Sequence, residues 1–322
     1  MSRILSGIQP SGSLHIGNYF AMMKPMITFQ EKNELFCFIV NYHALTSNPK
    51  REDLEKNTID AAIDFLTLGL DPEKCFFWVQ SDISEVTELT WILSNHTPLG
   101  LLERSHSYKD KIDKGIIPNA GLFSYPILMA ADILLYKAEV IPVGRDQKQH
   151  LEITRDIAIK FNNAYGDILV IPEPLISEEI ALIPGTDGQK MSKSYGNTLY
   201  IFEEEKILKK KVMKIVTDST PVEEPKNPET CTIFSLYKLF ADDDKIENLR
   251  DRYLKGGTGY GDVKKELFGL IWEYFQPFRE KRAIYENDPG EVKNILKKGA
   301  EKTRKIALET LGEIKKAVGL AY

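Results

Sequence analysis

The chain has 322 residues, 43% of them hydrophobic and 28% charged, enough for about two domains with sizeable cores and too apolar for global disorder. Forty-two basic against 47 acidic side chains leave a net charge of −5, which excludes a general polyanion binder and leaves any nucleic-acid contact to local patches. The three cysteines, Cys37, Cys75 and Cys231, lie far apart with no Cys-x-x-Cys pair, so neither a disulfide framework nor a cysteine-rich metal site is expected.

In chain order, Arg3–Ile8 reads as a strand, followed by a turn at Gln9–Ser13 and a helix from about Ile16. Leu35–Val40 is a second apolar strand, Glu52–Leu68 has the spacing of a helix, Cys75–Val79 is a third strand and Val140–Val143 a fourth. Continuous apolar strands alternating with helices predict a parallel sheet covered on both faces. Leu122–Tyr136 is the longest apolar stretch, but it carries Pro126 and Asp132 and is shorter than the ~20 residues of a membrane helix. The first residues reach Gly7 and Pro10 before a signal-peptide core can form. The expectation is a cytoplasmic protein without a membrane span.

After about Tyr195 the composition shifts. Phe202–Val216 reads as a highly charged helix, Asp218–Thr230 as a loop with three prolines, and the rest as helices interrupted at Gly256–Gly261. Glu291–Val318 carries a helical stripe of Ile295, Leu296, Ile306, Leu311, Ile314 and Val318. The expected architecture is α/β, a Rossmann-like doubly wound parallel sheet with a second, all-helical domain: residues 1–195, 196–290, and a last helix 291–322 returning toward the first domain. There is no internal repeat and no low-complexity tract.

Neither a Walker P-loop, a Rossmann glycine fingerprint nor HExxH is present. The turn Gly7–Asn18, GIQPSGSLHIGN, nevertheless suits a phosphate. Its glycines let backbone approach a ligand, Ser11 and Ser13 offer hydroxyls, and the helix start that follows favours an anion. His15 can donate from a ring nitrogen to a phosphate oxygen. A second segment, Gly188–Asn197, GQKMSKSYGN, places Lys190 and Lys193 in a Gly-flanked loop, where long cations can follow the charge of a triphosphate. Taken singly, the first is an ordinary turn and the second an ordinary solvated loop.

Taken together, HIGN (His15–Asn18) and KMSKS (Lys190–Ser194) resemble the paired signatures of class I aminoacyl-tRNA synthetases. Tyr125–Tyr136 and Val143–Ala158, with Asn41–Thr46, Ser107–Lys111 and the GYG at Gly259, are similar to the bacterial-type tryptophanyl-tRNA synthetases over nearly the whole chain. Asn18 stands where the wider class pattern has His, and Ile183–Gln189 is short and Gly-rich.

The resemblance implies ATP-dependent ligation of L-tryptophan to tRNA(Trp) through an adenylate. Gln9, Pro10 and Ser11 would line the phosphate side, with Gly17 and Asn18 near adenine and phosphate. Gly144, Arg145 and Asp146 would meet the ribose, Ile183 the adenine. Lys190, Met191, Ser192, Lys193 and Ser194 would close over the triphosphate with Lys111, and Mg²⁺ would be held mainly by the phosphates. Asp132, an acid among Ile127, Leu128, Met129, Ile133 and Leu134, is costly to bury unpaired; the indole N–H, a donor only, is its natural partner. Met129, Tyr125, Gln147, Val143 and His43 would complete that pocket. The family also implies a homodimer, with an insertion at roughly 80–120 at its interface, and anticodon recognition by the helical domain.

Some residues invite only plainer readings. His96, His106 and His150 show no ligand-like spacing and receive no chemistry. Trp78, Trp91 and Trp272 read as core or interface. The lysines from Lys206 to Lys214 read as a solvated face, or alternatively as a contact to RNA phosphates. A tyrosyl enzyme on the same fold, a stand-alone nucleotidyltransferase and a non-catalytic tRNA-binding paralogue are the competing readings.

Overall fold

The computed structural model describes residues 1–105, 118–144, 148–176 and 183–322. Five strands, β1 (Arg3–Ile8), β2 (Glu34–Ile39), β3 (Cys75–Val79), β4 (Val140–Val143) and β5 (Glu173–Ile176), form one sheet in the order β3-β2-β1-β4-β5. Every pairing is parallel, as continuous apolar runs demand. The expected second strand is shifted by one residue, because Val40 leaves the strand at φ −87° and ψ 68° to begin the helical turn Asn41–Ala44. The sequence reading missed β5: it holds four residues, with Glu173 and Pro174 at its start, and proline is tolerated only at such an edge position.

The chain forms two compact units. The first holds Met1–Gly12, Met26–Glu178 and Asp288–Tyr322; the second holds Ser13–Pro25 and Glu179–Asn287. The first unit contains the sheet. Its core brings Phe36, Phe38, Trp78 and Tyr136 together with the helices Glu85–Ser94 and Ala120–Leu135. The Phe36 and Phe76 rings stack at 4.2 Å, and Phe38 stacks on Trp78 at 4.9 Å.

The long helix Pro289–Ala317 also belongs to this unit. Asp288 caps it by accepting the Glu291 N–H at 3.1 Å, and proline occupies its first turn, where no N–H is needed. It packs on the edge strand β3. Gly299 comes so close that a Cβ there would lie 1.8 Å from the Phe77 carbonyl oxygen. Arg304 donates to Glu85 at 2.6 Å, and Lys315 pairs with Glu88 at 2.7 Å, tying the same helix to Glu85–Ser94.

In the second unit the described residues beyond Glu204 form only helices and turns. Leu208, Val212, Phe234, Leu249, Tyr253, Leu267 and Phe275 are buried there. The segment Ser13–Pro25 joins this unit through its backbone: the Ile16 N–H donates to Leu199 O at 2.9 Å, and the Ile201 N–H to Leu14 O at 3.1 Å. The expected helix from Ile16 begins with Ile16–Asn18, continues as a π turn at Tyr19–Met23 and resumes as Lys24–Phe29. Tyr19, within the π turn, meets Phe20, Tyr274, Phe275 and Phe278 edge-on.

The charged helix is shorter than expected, Glu205–Met213. Lys211 pairs with Glu203 at 2.6 Å and lies over the Tyr200 ring, while Lys209 lies over Phe268, so these two cations are engaged by their own chain. Among the described residues no helix is long and apolar enough to cross a membrane.

Candidate active site

Two clusters bring the candidate residues together, one in each unit. In the first unit the parallel sheet brings the carboxyl ends of β2 and β3 to one edge, where open α/β sheets bind ligands. β2 leads into Asn41–Ala44, and β3 into the 3₁₀ turn Gln80–Asp82. Asn41 and Ser81 clasp these turns together: Asn41 Nδ2 donates to Ser81 Oγ at 2.8 Å, and the Ser81 N–H returns to Asn41 Oδ1 at 3.1 Å.

Asp132 reaches this clasp from the helix Ala120–Leu135, which is N-capped by Asn119. It is only 2% exposed. Gln80 Nε2 donates to Asp132 Oδ1 at 2.9 Å and to Oδ2 at 2.7 Å, and His43 Nε2 meets Oδ2 at 2.9 Å. Among the described residues no lysine or arginine pairs with it. Burial pushes its carboxyl above the ordinary value, against the downward pull of His43 and Gln80; removal from water is the dominant effect.

Tyr125 stands edge-on to His43 at 6.2 Å, and its hydroxyl hydrogen-bonds His150 Nε2. Val143 is buried at the end of β4, and Met129 packs against the core. A cavity of about 670 Å³ opens beside Tyr42, Thr46, Tyr125 and Leu128, and Asp132 does not line it. Gln9, Pro10 and Ser11 form a tight turn after β1, with the Ser11 N–H donating to Gln9 O at 2.8 Å. Gly144 directly follows β4. Lys111, Arg145, Asp146 and Gln147 lie outside the described residues, as does His106.

The second cluster joins the two signature segments. His15 is 6% exposed and caps the helical turn after it: its Nδ1 accepts the Asn18 N–H at 3.2 Å, and Asn18 Oδ1 accepts the His15 N–H at 3.3 Å. An Nδ1 that accepts carries no proton, so the hydrogen sits on Nε2. Burial first, and then the charge of Lys193, lower the His15 pKa to about 4, so the ring is neutral near pH 7. Burial also lowers Lys193.

The lysine loop is a hairpin extension. The Met191 N–H donates to Ile183 O at 2.9 Å, and the Gly185 N–H to Gln189 O at 2.7 Å. Met191 turns inward, where its sulfur accepts the Gly17 N–H at 3.4 Å; it packs in the hairpin rather than over open solvent. Lys190 and Ser194 are exposed, and Ile183 is buried.

Asn197 pins the loop from beneath. Its Oδ1 accepts the Ser192 N–H at 2.8 Å, and its Nδ2 donates to Asp187 at 2.7 Å and to Lys190 O at 3.0 Å. Among the described residues no cluster of three or more His, Cys, Asp or Glu side chains could hold a metal ion.

Sequence reasoning passed over three residues of these clusters. Gln80 reads as the polar end of a strand, Asn197 as the tail of a loop motif, and His150 as a helix residue without chemistry. In the structure His150 bonds the Tyr125 hydroxyl. Trp78 is core, whereas Trp91 is 73% exposed.

The sequence model of the family described as tRNA synthetases class I (W and Y) matches residues 1–276. A tryptophan–tRNA ligase of Fusobacterium nucleatum is 56% identical over 321 residues, covering 99% of this chain and 98% of that relative. The crystal structure of the Campylobacter jejuni tryptophanyl-tRNA synthetase complexed with ADP and tryptophan is 54% identical and superimposes with a TM-score of 0.95, covering 99% of this chain and all of that one. The Mycoplasma pneumoniae tryptophanyl-tRNA synthetase, 29% identical, has a TM-score of 0.83 and covers 100% of this chain and 98% of that one.

Proposed function

The chain belongs to the class I tRNA synthetases of the tryptophan and tyrosine group, and from that membership we propose how its own residues divide the work. It ligates L-tryptophan to tRNA at the expense of ATP. The tryptophan carboxylate attacks the α-phosphate, forming tryptophanyl-adenylate and releasing diphosphate. A ribose hydroxyl of the tRNA terminus then attacks the acyl carbon, and AMP leaves. No protein nucleophile is required, so the protein contributes positioning and charge stabilisation.

The observation that carries the choice of amino acid is Asp132. A carboxylate has about four acceptor sites, and Gln80 and His43 occupy only part of them. A buried acid with spare acceptor capacity and, among the described residues, no lysine or arginine partner fits the indole N–H, while phenylalanine leaves it unmet. Met129, Tyr125, Val143, Gln147 and His43 complete the contacts to tryptophan.

In the second unit, neutral His15 offers Nε2–H to a phosphate oxygen. Lys190 and Lys193, with Lys111, supply positive charge to the triphosphate, alongside Ser192 and Ser194. Gln9, Pro10, Ser11, Gly17 and Asn18 line the phosphate and adenine, Gly144, Arg145 and Asp146 meet the ribose, and Ile183 faces adenine. Apart from Asp146, which meets the ribose, these residues are cationic or neutral, a poor set for a divalent ion, so Mg²⁺ would be carried mainly by the phosphate oxygens. We place the reaction in the cytoplasm, with tRNA(Trp) as partner, the anticodon read by residues 196–290, and a homodimer formed around residues 80–120.

Exchange of labelled diphosphate into ATP tests this reading. Tryptophan should support it and tyrosine should not; exchange with tyrosine alone would overturn the choice of substrate. In Asp132→Ala the KM for tryptophan should rise on the order of 10- to 100-fold, the scale of a hydrogen bond to a charged group, with the KM for ATP nearly unchanged.

A further inference from the structure

Gln80 is 1% exposed and sits at the first position after β3. Its amide can face only one way. The backbone N–H of Tyr42 points at one end at 2.9 Å, and only the oxygen of an amide can accept it, so the Nε2 end must face Asp132. From there it reaches both carboxylate oxygens, 2.9 Å from Oδ1 and 2.7 Å from Oδ2. His43 adds a second contact to Oδ2 alone. Oδ2 therefore carries two of these bonds and Oδ1 carries one.

We propose that Gln80 is a positioning residue for amino-acid selection: held by Tyr42, it fixes the Asp132 carboxylate so that the less occupied oxygen, Oδ1, is presented to a side chain bearing an N–H. The proposal rests on Asp132 being the indole acceptor. The reasoning is electrostatic. Removed from water, a carboxylate keeps its acceptor-only form only where donors face it. Without Gln80, His43 is the remaining partner among the described residues, and it grips one oxygen only. The carboxylate could then rotate about its Cβ–Cγ bond or take up a proton, and in either case it ceases to prefer an N–H donor.

The fold explains why a residue at this position can act on one 52 positions away. The Asn41–Ser81 clasp locks the turn carrying Gln80 to the turn carrying Tyr42 and His43. All the groups that orient Asp132 thus move as one body with the carboxyl ends of β2 and β3.

The test compares tryptophan with β-(benzothiophen-3-yl)alanine, in which sulfur replaces the indole N–H, by diphosphate exchange with the full-length protein. The native protein should prefer tryptophan. Gln80→Met has a similar length and no donor; Gln80→Glu keeps the acceptor for Tyr42 and loses the donors. Both should shrink that preference by about tenfold or more, through the KM for tryptophan, with the KM for ATP within about twofold of the native value. A side chain that only filled space would change both amino acids alike.

If Asp132→Ala abolishes the preference while folded Gln80→Met and Gln80→Glu retain it, Gln80 has no such role. If Asp132→Ala itself retains the preference, the indole assignment fails first. Thermal melting identifies any variant that does not fold, and the other Gln80 variant then decides.

Discussion

The backbone N–H of Gly17 donates to the sulfur of Met191 at 3.4 Å, joining two short motifs that lie 174 residues apart in sequence. The contact is backbone to side chain, so it depends on how close the two segments can come rather than on the identity of a charged group. Gly17 permits that approach because it has no Cβ: one placed there would lie 3.0 Å from His15 Nδ1 and 3.3 Å from Met191 Cβ.

Gly17→Ala is therefore expected to disturb His15 and the lysine loop together. Overpacking of this kind costs about 1–3 kcal/mol. In diphosphate exchange the KM for ATP should rise and adenylate formation should slow, while tryptophan affinity, measured by fluorescence quenching without ATP, stays near its native value. Unchanged ATP kinetics would remove this contact from the mechanism.

His15 leads to a prediction about pH. Its pKa is lowered to about 4 from the ordinary value near 6.5, so the unfolded chain takes up this proton first on acidification. The stability contributed by the buried neutral ring is fully present above about pH 6.5 and declines as pH falls toward 4. His15→Asn should flatten this part of the dependence of melting temperature on pH between 4 and 7. A slope in that window identical to the native one would show that His15 does not contribute to it.

Asn197→Ala removes three hydrogen bonds, to the Ser192 N–H, the Asp187 carboxylate and the Lys190 carbonyl. The cost is on the order of 1 kcal/mol, because the backbone groups left unmet are part-buried and within reach of water. The loop should become more susceptible to proteolysis between Asp187 and Tyr195, and adenylate formation should slow. Native resistance to trypsin in that segment would argue that the hairpin bonds of Ile183 and Gly185 suffice to hold it.

Gly299→Ala tests the docking of the long helix. Its new methyl would lie 1.8 Å from the Phe77 carbonyl oxygen, so the helix or the strand must shift. The expected loss is about 1–3 kcal/mol in stability, read as a lower denaturant midpoint. An unaltered midpoint would mean the helix slides along β3 at little cost.

Much of this was legible in the chain alone, for identifiable reasons. Four strands announce themselves because a parallel sheet buries both faces and so demands unbroken apolar runs such as Leu35–Ile39 and Cys75–Val79. β5 escaped because Glu173-Pro174-Leu175-Ile176 is too short and too mixed to signal a strand. Asp132 stood out as an acid within an apolar helix. Gln80 did not, because a glutamine after a strand has meaning only once its partners, Tyr42 and Asp132, are known in space. Met191 marks the same boundary: a loop motif marks out a set of residues, but packing decides that Lys190 faces outward, that Lys193 is half-buried and that the methionine lies beneath Gly17. The π turn at Tyr19–Met23 leaves no signature in residue type, and of the aromatic side chains that surround Tyr19, Tyr274 and Phe275 come from some 255 positions away.

The close seat of Gly299 on Phe77 also has a temporal side. All five strands leave the ribosome before Glu179–Asn287, the larger part of the second unit, and the helix that packs on β3 emerges only after that segment has been made. Until then the nascent sheet carries a bare flank, the kind of exposed strand that invites pairing with a neighbouring chain. A protein that supplies translation with charged tRNA thus passes most of its own synthesis with one side of its sheet unguarded, and a pause before Pro289 is the point at which its polysomes should be most prone to cross-association.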